Sequence, residues 1–129
     1  MMNLKLVEVL PEHYQFIREL RFHPDNIEGF VNQNEVSEKQ QEEYMKKYSS
    51  FYKVCLMDEI PVGFVGVVEN DIRVAVKPEY KKRGIAKYMI ENTMVSYPDS
   101  KAKIKVNNTS SIKLFESCGF KTEFIIMKK

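Results

Sequence analysis

Val74-Ala75-Val76-Lys77-Pro78-Glu79-Tyr80-Lys81-Lys82-Arg83-Gly84-Ile85-Ala86-Lys87-Tyr88-Met89-Ile90 runs from an apolar strand, through a turn dense in positive charge, into a helix that begins at a glycine. Pro78 has no N–H for a ladder, so the strand ends before the turn. A glycine at a helix start leaves the first backbone N–H groups free to meet a phosphate. The stretch therefore reads as a strand-turn-helix cradle for an anion.

The surrounding charge agrees with this. Residues 1–70 hold 7 Lys/Arg against 12 Asp/Glu, whereas residues 71–113 hold 10 against 4. An anionic ligand belongs in that basic middle. The acidic first half, the absence of tryptophan and the lack of aromatics interleaved with the basic run argue against a nucleic-acid platform.

With 129 residues, 43% hydrophobic and 29% charged, the chain is expected to form one soluble domain over 1–129. The longest nearly apolar run, Pro61 to Val68, is far short of the ~20 residues that span a bilayer, and the N-terminus carries charges inside its apolar stretch. No membrane partner and a cytoplasmic location are expected. Cys55 and Cys118 lack any metal-ligand spacing and read as buried thiols, so no metal is expected.

Outward from the opening stretch, Leu4 to Leu10 reads as a strand, followed by a helix that Pro11 can open. His13, Phe16, Ile17 and Leu20 share one face of that helix. Residues 21–36 are poorly periodic and hold Phe30 and Asn32, which either line a substrate pocket or belong to a plain connector. Ser37-Glu38-Lys39-Gln40 has the form of a capping box and opens a second helix with Tyr44, Met45 and Tyr48 as its packing stripe. Tyr52–Met57, Pro61–Val68 and Ile72–Val76 form an antiparallel meander, its middle run apolar on both faces. After the helix from Gly84, Lys103–Val106 reads as a strand and Ser111–Cys118 as a short helix. Gly119 caps that helix and folds Phe120 back onto Phe115. Phe124–Met127 reads as a last strand. The expected architecture is α/β (α+β): a mixed central sheet of about six strands with helices on both faces.

In this order the chain resembles the GNAT superfamily of acetyl-CoA-dependent N-acetyltransferases. The family signature of Gln or Arg, two residues, Gly, one residue, and Gly or Ala is matched by Lys81-Lys82-Arg83-Gly84-Ile85-Ala86, with lysine at the first position. A second family motif, Asn-x-x-Ala-x-x-Leu-Tyr-x-x-x-Gly-Phe, is matched by the run from Asn108 to Phe120, with Ser111 for alanine and Phe115 for tyrosine.

The resemblance implies acetyl-CoA as co-substrate. Its phosphates would sit on Lys81, Lys82, Arg83, Gly84, Ile85 and Ala86, and its pantetheine arm along Val74, Ala75 and Val76, where the fourth strand splays from the fifth. Asn108, Ser111 and Lys113 add contacts from the second motif. The implied reaction is direct attack of a primary amine on the acetyl thioester.

Phe115 occupies the family's proton-donor position and cannot donate. Another hydroxyl such as Ser111, Ser117 or Tyr80 serves, the thiolate leaves unaided, or the protein binds acyl-CoA without turnover. Glu69 is the candidate base through water. The stretch from Arg21 to Tyr44 is similar in spacing to family members acting on nucleotide-linked amino sugars and on protein N-termini. That implies a small amine or amino sugar as acceptor, with a peptide amine as the alternative, in a monomer or an edge-sharing homodimer.

Overall fold

A computed structural model of the chain describes residues 3–27 and 36–129. Strands β1 (Leu4–Glu8), β2 (Tyr52–Met57), β3 (Ile60–Val68) and β4 (Asp71–Val76) form one sheet in the order β1-β2-β3-β4, each pair antiparallel. Two-residue turns join the meander, Asp58-Glu59 and Glu69-Asn70, with positive φ at all four residues. That is the backbone twist a tight hairpin needs.

β3 lies inside the sheet, and its apolar run from Val62 to Val67 is buried. Its register against β2 shifts between Cys55 and Leu56, which pair with Gly63 and Pro61 and leave Val62 as the extra residue of a bulge. Val62 and Val65 therefore join the same core despite their odd spacing.

Helices cover both faces, as expected. On one side α1 (Tyr14–Phe22) and α3 (Glu38–Tyr48) bring Ile17, Leu20 and Met45 onto Tyr52, Val54, Phe64 and Ala75. The short α2 (Pro24–Ile27) follows α1, and its Asn26 is buried, donating from Nδ2 to the carbonyls of Leu20 at 3.0 Å and Val76 at 3.3 Å. On the other side α4 (Ile85–Ser96) and α5 (Thr109–Ser117) bring Ile85, Met89, Ile90 and Phe115 onto Cys55, Val65 and Val76.

Two expected strands are corrected. Among the described residues the sheet has four strands, not about six, and it is antiparallel, not mixed. Lys103–Val106 forms no ladder; a single parallel bridge joins Asp71 to Lys101, with Ile72 N–H donating to the Lys101 carbonyl at 2.9 Å. The alternation in Lys103–Val106 fits a half-buried extended segment, but a ladder also needs a second backbone within reach. Phe124–Met127 is likewise outside the sheet, its four side chains 66–88% exposed.

α5 ends as its sequence predicts. Gly119 has φ +93°, Phe120 N–H reaches the Phe115 carbonyl at 3.0 Å, and the two rings meet edge-on at 5.0 Å.

Candidate active site

β4 leads through the 3₁₀ turn Pro78–Tyr80 into an exposed loop, Lys81 to Gly84, and then into α4. Lys82 and Gly84 both have left-handed backbones, φ +63° and +82°, on either side of Arg83. Such alternation turns successive N–H groups to one side. Gly84 is the N-cap of α4 and offers no side-chain cap, so the first N–H groups of a 12-residue helix are left for a ligand. A Cβ built on Gly84 would have nothing within 4 Å. The glycine is needed for its φ and leaves open space beside the helix start.

The Arg83 guanidinium lies 5.2 Å above the Tyr80 ring, which keeps its charge at the loop. Ile85 is the anchor: its side chain is fully buried in the core with Met89 and Ile90, so only its backbone faces the loop.

The outer edge of β4 continues this surface. Ile72 N–H points outward to Lys101, so Val74 and Val76, two and four residues on, point their backbone groups the same way. Among the described residues that edge is paired at Ile72 and at the Val76 carbonyl, which Asn26 holds. The segment after Lys101 is attached to β4 at one end only and forms no fifth strand for β4 to splay from. Ala75 points away from this edge region into the core with Ile17 and Leu20, so its small side chain fits a helix-facing position.

Of the second-motif residues, Asn108 is the N-cap of α5 and its Oδ1 accepts from Ser111 N–H at 3.2 Å. Ser111 is half-buried and Lys113 exposed. Phe115 is buried in the core and has only ring contacts to offer. Ser117 Oγ already donates to the Leu114 carbonyl at 2.6 Å. Glu69 stands exposed in the β3–β4 turn, at the opposite end of β4 from the basic loop. Phe30 and Asn32 lie outside the described residues.

Across β4 from that edge region, on the α1/α3 face, lies a cleft of about 410 Å³ that the sequence did not reveal. Arg18 and Arg21 line it from α1, Gln41 and Tyr44 from α3, and Tyr52 and Arg73 from the sheet. The Tyr44 and Tyr52 hydroxyls are 2.7 Å apart, and Arg73 Nη1 donates to both, at 3.3 and 3.4 Å. Arg73 Nη2 is paired with Asp71 at 3.1 Å. Burial raises the Tyr52 phenol well above its ordinary value, so it stays protonated. Burial lowers Arg21, while for Arg73 the pull of burial is outweighed by Tyr52, Tyr44 and Asp71, which raise it.

Arg21 and Tyr44 bound the stretch whose spacing bore on the acceptor, whereas Tyr52 and Arg73 were hidden because they come from separate strands. The i, i+3 spacing of Arg18 and Arg21 is a further local signal. Cys55 is buried in the other core, which pushes its thiol up to about 11 and leaves it unreactive. Among the described residues no cluster of three or more His, Cys, Asp or Glu is placed to hold a metal, and no helix is long and apolar enough to cross a membrane.

A family profile described as an acetyltransferase (GNAT) domain matches residues 47–122. The chain belongs to the GNAT acetyltransferase family. That stretch contains the meander, the basic loop, α4 and α5. No curated protein sequence matches this GNAT chain.

Among solved structures, it is similar to a spermidine N-acetyltransferase from Vibrio cholerae in complex with CoA and spermine. The identity is 19% and the TM-score 0.81, over 94% of this chain and 82% of that one. A putative acetyltransferase from Salmonella typhimurium with acetyl-CoA matches at 14% identity and TM-score 0.75, over 92% and 79%. An aminoglycoside N-acetyltransferase in complex with CoA matches at 16% identity and TM-score 0.72, over 100% and 95%. At these identities the likeness is one of fold.

Proposed function

We propose that this GNAT acetyltransferase moves an acetyl group from acetyl-CoA to the primary amine of a small molecule. The observation that carries the reading is the uncapped start of α4 behind the left-handed Lys82 and Gly84, at the end of a strand whose outer edge is largely unpaired. Its fit to the co-substrate can be argued group by group. The N–H groups from Lys82 to Ala86 and the charges of Lys81, Lys82 and Arg83 suit the pyrophosphate. The outward backbone of Val74 and Val76 suits the amide-bearing arm, and Asn108, Ser111 and Lys113 at the start of α5 are the further contacts we assign to the cofactor. Acetyl-CoA supplies the acyl group as a thioester.

In the reaction the amine nitrogen bonds to the carbonyl carbon, the carbon–sulfur bond breaks, and the ammonium proton is lost. The cleft provides hydrogen-bond donors for the acceptor but no carboxylate among its described lining. Proton removal therefore passes to water, with Glu69 in the exposed turn as the candidate carboxylate at the end of the relay. Phe115 cannot protonate the departing sulfur, and a thiol is acidic enough for the thiolate to leave near neutral pH.

Gly84→Trp tests the placement of the cofactor. Open space around Gly84 gives the ring room without a clash in the protein, and the backbone cost of a side chain at this φ is about 1–2 kcal/mol. Calorimetry of the folded variant is expected to show acetyl-CoA affinity down by about tenfold or more, the loss of one charge-assisted contact at the least. Unchanged affinity would sink the assignment.

Phe115 also favours a second reading, an acyl-CoA-binding module without turnover. Free-thiol release with any amine rejects it. The structurally similar spermidine N-acetyltransferase with spermine and the aminoglycoside N-acetyltransferase support a small-molecule acceptor. A ribosomal-protein-alanine N-acetyltransferase from Brucella melitensis, similar at TM-score 0.77 and 14% identity over 91% of this chain and 84% of that one, keeps a peptide amine as the alternative.

A further inference from the structure

We infer that the acceptor carries an oxyanion, a carboxylate or a phosphate, besides its amine, and that Arg21, Arg73 and Gln41 hold that oxyanion in the cleft between α1, α3 and the sheet. The inference rests on the acetyl-transfer reading and adds the class of acceptor to it.

The cleft, at about 410 Å³, has room for a ligand the size of an amino acid or an amino sugar. Three guanidiniums line it, from Arg18, Arg21 and Arg73, and no carboxylate does among the described residues. Asp71, two residues before Arg73 on β4, is shared between Arg73 at 3.1 Å and Lys103 at 4.0 Å, so it balances less than the charge around it. Among the described residues, cationic groups outnumber carboxylates around the cleft.

The neutral groups in the wall are also short of acceptors. Gln41 is 8% exposed, and its Nε2 has no hydrogen-bond partner. A buried donor left unmet is destabilising, and a ligand oxygen in the cleft meets it. The Tyr44 and Tyr52 hydroxyls share one hydrogen bond, in which either can donate, and both accept from Arg73. Two phenols carry two protons, and that bond uses one. The other is left to donate into the cleft or to water.

A wall of guanidinium, amide N–H and phenol O–H is complementary to carboxylate or phosphate oxygens, which guanidinium binds through parallel N–H groups. It is a poor match for a polyamine, whose charges would face like charges in a half-dry site. Placement suits the chemistry as well. Arg73 immediately precedes Val74, so an acceptor anchored on its guanidinium lies beside the strand edge proposed for the thioester arm.

The test is steady-state thiol release by the full chain with acetyl-CoA and matched acceptors: glucosamine 6-phosphate against glucosamine, an amino acid against its carboxamide, and spermidine as the polycation. The oxyanion-bearing member of at least one pair is expected to have a kcat/KM about tenfold or more above its neutral twin, carried by KM. The pair that responds tells phosphate from carboxylate. Arg21→Gln and Arg73→Gln are expected to collapse that ratio; if Arg73→Gln does not fold, Arg21→Gln on α1 decides. Equal rates within every pair, a ratio that survives Arg21→Gln, or a preference for spermidine overturns the inference. If no amine releases thiol, the transferase reading fails separately. Calorimetry of the same compounds against the CoA-saturated protein then decides the inference: oxyanion binding weakened by Arg21→Gln upholds it, and no oxyanion binding overturns it.

Discussion

Gly66 and Tyr52 are register partners across β3 and β2, and the tyrosine ring lies over the glycine so closely that a Cβ there would overlap its ring carbons. The ring carries the hydroxyl that meets Tyr44 and Arg73, so the glycine sets the position of the cleft's polar wall. Gly66→Ala is expected to cost about 1–3 kcal/mol in urea unfolding as the overpacked ring moves. It should also raise the acceptor KM while acetyl-CoA affinity stays the same, since Gly66 pairs with Arg73 near the start of β4 and the basic loop follows the end of that strand. Wild-type stability and KM would contradict this account. Gly84 could be read from sequence because its charged neighbours are adjacent in the chain. Gly66 could not, because its need for a missing side chain comes from a residue fourteen positions earlier. Arg73 was equally hidden, an ordinary polar position in an alternating strand until α1 and α3 are packed over it.

Elements were legible where their signals were local. The capping box forms as its residue types require: Gln40 N–H donates to Ser37 Oγ at 3.1 Å and Ser37 N–H to Gln40 Oε1 at 3.0 Å. It fixes the start of α3, which supplies Gln41 and Tyr44 to the cleft one and two turns further on. Ser37→Ala is expected to cost about 1 kcal/mol in denaturant unfolding and Ser37→Gly only a few tenths, because the cap, not the helix interior, is lost. An equal and larger loss for both would point to a different role for the serine. The meander was legible for the same reason, each strand being followed by its own partner, although β3 and β4 each begin one residue earlier than their sequence suggests. The runs at Lys103–Val106 and Phe124–Met127 lacked that guarantee. Alternation shows that a segment can pair, whereas a free edge at the right distance is a property of the assembled sheet. Lys101 finds one at Asp71 and Ile72, and the chain then leaves β4.

At the scale of the molecule the sheet divides two cores. Ile17, Leu20 and Met45 pack on the cleft side, and Ile85, Met89, Ile90 and Phe115 on the side that supports the cofactor loop. The family was legible because its motifs are contiguous, and the wall proposed for the acceptor was harder to read because four elements build it. The division predicts how damage combines. Ile17→Val and Ile90→Val should each cost about 0.5–1.5 kcal/mol. Made together, they should sum to within about 0.5 kcal/mol, as for sites without shared partners. A larger coupling in a double-mutant cycle would show that the two faces are not separate. If they are, the consequence belongs to inheritance as much as to folding. A lineage built on this sheet can rewrite the face proposed for the acceptor, one substitution at a time, without disturbing the packing under the face proposed for coenzyme A. Descendants can then diverge in what they modify while keeping the donor they all share.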